Sequence, residues 1–273
     1  MQEFDKKELK KLYLPPSDSH KGQNGKLLLI SGSKLFHSSS LWALKIASRI
    51  VDMVFYSSVK ENNQLVIKAK KEFRDGIIIP RNKIEDYIQE ADCVLIGPGL
   101  PRGTGEEEGD DSTRELTEGL LRKYPLKKWV IDGGSLQVID PEVIPHTAII
   151  TPHSREFKQL FGLSVSGENV EKMSKKYGIV IVTKGPVDLI CSPEKCVSIK
   201  GGNAGMTKGG TGDVLAGLIA ALYCKNDNPF LVAGIGSYIN KKAGESLFKK
   251  VGYYFNSSDL VEEIPGVMKE LFL

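Results

Sequence analysis

Short apolar runs alternate along the chain with longer segments whose apolar residues recur every third or fourth position. Residues 26–31 (KLLLIS) are apolar without a break between polar ends, the pattern of a strand buried on both faces. Further strands are predicted at 53–57, 76–80, 93–97, 129–132, 148–151, 179–183 and 187–191. Helical spacing appears at 40–50, through Leu41, Leu44 and Ala47, and again at 83–89, 113–123, 155–161 and 168–176. After residue 200 the pattern turns helical, at 213–224, 229–250 and 259–271.

Strands alternating with helices make βαβ units, so the chain is expected to be an α/β protein with a mostly parallel sheet covered on both faces. Sheets of this kind bind ligands where their strands end. Five strand ends run into small or polar residues: Ile30-Ser31-Gly32, Ile96-Gly97-Pro98-Gly99, Ile131-Asp132-Gly133, Thr151-Pro152-His153 and Thr183-Lys184-Gly185. One crevice shared by all five is the expectation.

Composition narrows the class. Of 273 residues 41% are hydrophobic and 26% charged, and the net charge is +3, as expected of a folded globule without a polyanion partner. No nucleic-acid partner is therefore expected. The longest apolar stretch, 214–223, is about half of what a bilayer crossing needs, and residues 1–12 are too charged for a secretory signal. Cys93, Cys191, Cys196 and Cys224 form no CxxC pair and no His completes a metal site near them. They read as free thiols in a cytoplasmic protein. The acidic run 106–111 reads as a solvated loop leading into a helix N-terminus.

The chemistry is concentrated in Gly201-Gly202-Asn203-Ala204-Gly205-Met206-Thr207-Lys208-Gly209-Gly210-Thr211-Gly212-Asp213, followed at once by an apolar helical run. Glycines let successive backbone N–H groups converge, and a helix N-terminus adds unpaired donors and a positive dipole end. Together they form an anion hole suited to a phosphoryl group. A carboxylate at its edge, Asp213, is placed to take a proton from a hydroxyl that attacks phosphorus. No GKS or GKT follows the glycines, so this is not the common P-loop, and no GxGxxG follows the first strand.

These residues resemble the ribokinase-like superfamily, and within it the ADP- or ATP-dependent NAD(P)H-hydrate dehydratases. Their pattern, roughly GNPGMATGGTGDVLAG, is similar to residues 202–217. Blocks at 19–22, 25–33 and 96–100, Thr151-Pro152-His153 with Glu156, and Lys184-Gly185 follow in the family's order. The resemblance covers about residues 18–250 and implies a single ribokinase-like domain, 1–273, three-layered α/β/α. It leaves no room for the epimerase domain to which such dehydratases are often fused, so epimerisation is expected from a separate protein. The implied reaction phosphorylates the ring hydroxyl of hydrated NADH or NADPH with ADP or ATP and then eliminates phosphate.

The resemblance further implies roles by position. Asp213 would be the base, with Gly210, Thr211 and Gly212 as donors to the phosphoryl group. Lys184, Gly185, Pro186, Val187, Asp188, Asn203, Gly209 and Gly212 would hold the nucleotide. Ser39, Gly99, His153 and Asp213 would contact the hydrated cofactor. Mg²⁺ would bridge the nucleotide phosphates, with no protein ligand assignable, and a homo-oligomer would be usual. Four departures stand out: Ser38-Ser39-Ser40 for Gly-Ala-Pro, Asp132-Gly133-Gly134-Ser135-Leu136 for Asp-Ala-Asp-Ala-Leu, Ser154-Arg155 for Pro-Gly, and Asp188 for Thr beside the expected phosphates. A kinase of small hydroxymethyl or hydroxyethyl compounds on the same fold, or a nucleotide-binding protein without turnover, are the alternatives.

Overall fold

The computed structural model describes residues 1–103 and 110–273. Among the described residues ten strands form one sheet: β1 (Gln2–Glu3), β2 (Lys26–Ile30), β3 (Met53–Ser57), β4 (Ile77–Ile78), β5 (Cys93–Ile96), β6 (Lys128–Ile131), β7 (Ala148–Ile150), β8 (Val180–Thr183), β9 (Val187–Cys191) and β10 (Cys196–Lys200). Their order is β1-β10-β9-β8-β7-β6-β5-β2-β3-β4. From β4 through β8 all pairings are parallel, and β9 lies antiparallel to both β8 and β10.

The unbroken apolar strands divide their side chains between two cores. Leu27 and Leu29 face one core, Leu28 and Ile30 the other, and all four are fully buried. The first core is closed by α1 (Ser38–Ala47), α8 (Thr211–Cys224), α9 (Pro229–Val251) and α10 (Ser257–Phe272). The second is closed by α3 (Ile84–Glu90), α4 (Thr113–Lys123), the short α5 (Gly133–Leu136), α6 (Ser154–Phe161) and α7 (Gly167–Tyr177). The result is the three-layer arrangement expected. Leu260, Val261 and Ile264 of α10 are wholly buried, so this segment closes the fold.

The structure adds elements that the pattern does not reveal. β1 is a two-residue edge strand too short to carry a period, and β10 beside it is only half-buried. Helix α2 (Lys60–Ala69) buries only Asn62 and Val66 and leaves Leu65 and Ile67 exposed, so it shows little amphipathic signal. The predicted strand at 76–80 shrinks to two residues. The reading of four free thiols is corrected: the β9–β10 hairpin sets Cys191 opposite Cys196, and the two form a disulfide. Only Cys93 and Cys224 are free, and both are buried. Cysteine usage therefore does not argue for a reducing compartment. Of the acidic run, 106–109 lie outside the described residues. Asp111 pairs with Arg81 at 2.7 Å, and α4 begins two residues later.

Helices α1 and α8 approach each other closely at Gly217. A methyl group there would lie 2.9 Å from both the Cα and the carbonyl oxygen of Ala43. In a free helix Gly→Ala stabilises by about 1 kcal/mol. Here the backbone clash reverses the sign, and Gly217→Ala is expected to lose about 1–3 kcal/mol in urea denaturation. A gain would show that the two helices are not held at this distance.

Candidate active site

Four of the five strand ends, those after β5, β6, β7 and β8, open into one cavity of about 1130 Å³, whereas Ser31 and Gly32 after β2 do not line it. That volume exceeds a typical single-ligand pocket of about 300–1,000 Å³, so two ligands can share it. Gly99, Asp132, His153 and Lys184 come from the strand ends, Ser39 and Trp42 from α1, and Gly209 through Asp213 from the glycine turn.

The glycine turn is fixed by its surroundings. Gly210 precedes α8 with φ +96°, a conformation that favours glycine, and a Cβ there would meet the Trp42 ring at 2.2 Å. The Ser257 hydroxyl donates to the Gly209 carbonyl at 2.7 Å, and the Thr211 hydroxyl donates to the Met206 carbonyl at 2.7 Å. No side chain caps α8, so its N-terminus, which lines the cavity, can offer N–H donors to an anion, although the Thr211 N–H also reaches the Lys208 carbonyl at 3.4 Å.

Opposite lies a charged cluster. Lys184 Nζ sits 2.6 Å from Asp132 Oδ1 and 4.0 Å from Glu156 Oε2. Asp132 is almost wholly buried and also accepts from the Thr151 hydroxyl at 2.8 Å. Burial pulls the Lys184 amine down, but Asp132 and Glu156 outweigh it and the net shift is upward. The Glu156 carboxyl is pushed up, chiefly by burial, against the pull of Lys184. Asp213 is pushed up to about 7, first by desolvation and then by the negative Asp132, although Lys184 and a hydrogen bond from Ser39 lower it. Three carboxylates around one amine leave negative charge in excess, and Asp213 is where the strain of ionisation shows.

The sequence profile of the NAD(P)H-hydrate dehydratase family matches residues 27–266. The chain belongs to that family. It is 32% identical over 284 residues to the ADP-dependent (S)-NAD(P)H-hydrate dehydratase of Nitrosopumilus maritimus, covering 96% of this chain and 95% of that one. It is 38% identical over 272 residues to the bifunctional NAD(P)H-hydrate repair enzyme of Methanocaldococcus jannaschii, covering 96% of this chain. The chain spans about half the length of such bifunctional relatives, 52% in that case. The solved structure of a ribokinase-like superfamily protein from Enterococcus faecalis superposes with a TM-score of 0.85 at 22% identity, covering 99% of this chain and 96% of that one. The fold is ribokinase-like, and these likenesses favour the dehydratase family over the kinase alternative.

Most of the residues that the family pattern singles out meet in the cavity: Ser39, Gly99, His153, Lys184, Gly185, Pro186, Asp188, Asn203, and 209–213. Val187 does not line it and is partly exposed on β9. Asp188 does not present a bare charge to a nucleotide. Its Oδ1 accepts the Gly185 N–H at 2.9 Å and lies 3.2 Å from Lys241 Nζ, and its Oδ2 accepts the Ser237 hydroxyl at 2.6 Å. Lys241 also donates to the Gly185 carbonyl at 2.9 Å. The anomalous acid thus braces the loop that carries Lys184.

Asp132, Lys241 and Trp42 were not singled out from sequence as site residues. A signal exists for Lys241: Ser237, Asn240 and Lys241 are polar at i, i+3 and i+4 in an otherwise apolar stretch of α9, so they share one face. Lys241→Met would leave Asp188 charged, buried and unmatched, and is expected to lose about 3–5 kcal/mol of unfolding free energy; an unchanged denaturation midpoint would refute the pairing. Asp132→Asn removes the negative neighbour of Asp213, so the Asp213 carboxyl is expected to titrate below its present value of about 7. Carbon-13 NMR of labelled Asp carboxyls reads this directly, and a rise would contradict the geometry.

Proposed function

We propose that the chain, as a single domain, dehydrates hydrated NADH or NADPH at the expense of a nucleotide. The observation that carries this reading is Asp213, a carboxyl poised near 7 beside an uncapped helix N-terminus, in a cavity large enough for two ligands. A base matched to neutral pH beside an anion hole is the pairing that phosphoryl transfer to a hydroxyl requires.

In this reading the terminal phosphoryl of the nucleotide meets the N–H groups of Gly210, Thr211 and Gly212, while Lys184, Gly185, Pro186 and the Asn203 turn border the rest of it. The ring hydroxyl of the hydrated cofactor lies at Asp213, between Ser39, Gly99 and His153. Asp213 takes the hydroxyl proton as oxygen bonds to phosphorus and the nucleotide's bridging P–O bond breaks. The C–O bond then breaks with its electron pair on the departing phosphate. The neighbouring ring carbon gives up its proton to solvent, and the electrons of that C–H bond form the returning ring double bond. Hydroxide leaves poorly and phosphate well, so the first transfer makes the second step possible.

The nucleotide is ADP or ATP; the Nitrosopumilus relative is named for ADP. Among the described residues there is no cluster of three His, Cys, Asp or Glu side chains that could hold a metal. Mg²⁺ would therefore travel with the phosphates and neutralise their charge. No helix among the described residues is long and apolar enough to cross a membrane, and we assign the reaction to the cytoplasm, with the cofactor pool it repairs.

Incubation with hydrated NADH and ADP or ATP is expected to restore the near-ultraviolet absorbance of the reduced ring. Failure with both nucleotides would overturn the assignment. Asp213→Asn is expected to cut the rate by about 10²–10⁴-fold. For the native protein kcat/KM should fall as pH drops below about 7, because protonation of Asp213 removes the base. A flat profile through this range would exclude Asp213 from that role.

A further inference from the structure

Gly210 is hemmed in by two side chains. A Cβ there would lie 2.2 and 2.3 Å from two carbons in the six-membered ring of Trp42, and 2.7 Å from the Ser257 hydroxyl oxygen. Neither neighbour is loose. Ser257 is fully buried, and its hydroxyl is committed to the Gly209 carbonyl. The Trp42 indole donates its Nε1–H to the Ser258 hydroxyl at 3.1 Å. Both serines open α10, whose start is fixed by a reciprocal cap. The Asn256 side chain accepts the N–H groups of Ser258 at 2.8 Å and Asp259 at 3.3 Å, and the Asp259 carboxylate accepts the Asn256 N–H at 2.8 Å. The backbone of Trp42 belongs to α1, which packs against α8 where Ala43 meets Gly217. One helix therefore holds the indole at its root and another at its nitrogen.

Glycine by itself does not fix a turn, because it takes either sign of φ at little cost. Gly210 stands at φ +96° and ψ −18°, and residues 207–209 before it are exposed. Hydrogen bonds hold carbonyls on either side: Thr211 donates to Met206 at 2.7 Å and Lys208 at 3.1 Å, and the Gly210 carbonyl accepts the Val214 N–H at 3.0 Å. The Cα of Gly210 is held by packing, and the Trp42 ring supplies it. The conformation at Gly210 in turn sets where the donors at the start of α8 point.

We propose that Trp42 is a positioning residue for phosphoryl transfer: its ring, set against Gly210, keeps the glycine turn in the conformation that presents the N–H donors of α8 to the transferred group. This rests on the proposed function and adds to it a residue that acts through the turn. A preorganised donor array spares the reaction the cost of ordering it, so the benefit falls on the transition state.

Phe and Leu separate a flat ring from apolar bulk. The carbons against Gly210 belong to the six-membered ring, which Phe retains. Trp42 is only partly buried, and urea denaturation is expected to show both variants folded. W42F is expected to keep kcat within about threefold of native, and W42L to lose about tenfold to a hundredfold, less than the ~10²–10³ lost when a donor is deleted outright. KM for hydrated NADH should stay within about threefold in both, since the interaction removed belongs to the transition state. Native kcat in W42L, or equal losses in the two variants, would overturn the proposal. A second measurement needs no turnover. Nitrogen-15 relaxation is expected to give the Gly210 N–H an order parameter of about 0.85 in the native protein and W42F, and below about 0.6 in W42L. Equal order parameters in all three would overturn the proposal whatever the rates. Absence of turnover by the native protein would instead remove the proposed function, and the relaxation data would still decide whether the ring holds the turn.

Discussion

Everything in the cavity is arranged around one buried amine. Lys184 stands at the end of β8, and its Nζ is held by Asp132 from the end of β6 and faced by Glu156 from the first turn of α6. A lone ammonium would not remain charged in such a place, and three carboxylates without it would not ionise together. Each member makes the others tenable. The ion pair also ties neighbouring connections across the top of the sheet, so the mouth of the cavity inherits the rigidity of the strands beneath it. Asp213 lies at the margin of the cluster, and the attraction of Lys184 only partly offsets its burial and the repulsion of Asp132. Burial first, and then the negative Asp132, raise the pKa of this carboxyl to about 7.

The fold was largely legible from the chain, and for a definite reason. Strands buried on both faces have no polar face to alternate, so runs such as KLLLI announce a covered parallel sheet. The glycine turn was legible because several constraints coincide in it: a left-handed Gly210, an aromatic ring against that glycine's Cα, and a helix end left open. The edges of the sheet were not. β1 and β10 gain their order from pairing rather than from pattern, and the Cys191–Cys196 bridge follows from hairpin register, which spacing alone does not reveal.

The site was legible unevenly. Residues on strand ends and in the glycine turn are contiguous motifs, and sequence finds them. Partners that arrive from elsewhere are silent. Asp132 meets Lys184 across 52 residues of chain, and Lys241 reaches Asp188 across 53, so neither pair shares a local pattern. The acid at 188 consequently read as a threat to a bound phosphate, whereas its charge is consumed by α9. Pairings of this kind belong to tertiary structure, and a residue judged by its neighbours in sequence is judged by the wrong neighbours.

The Asp188–Lys241 contact carries a consequence for variation within the family. A neutral residue at 188 would need no cation behind the loop; here the loop and the helix carry complementary charges. The two positions are therefore one heritable character spread over two segments. Either change alone passes through an intermediate with an uncompensated interior charge, so the route between the two solutions is narrow. A loop grafted here without an acid at 188 would leave Lys241 unmatched unless α9 changed with it.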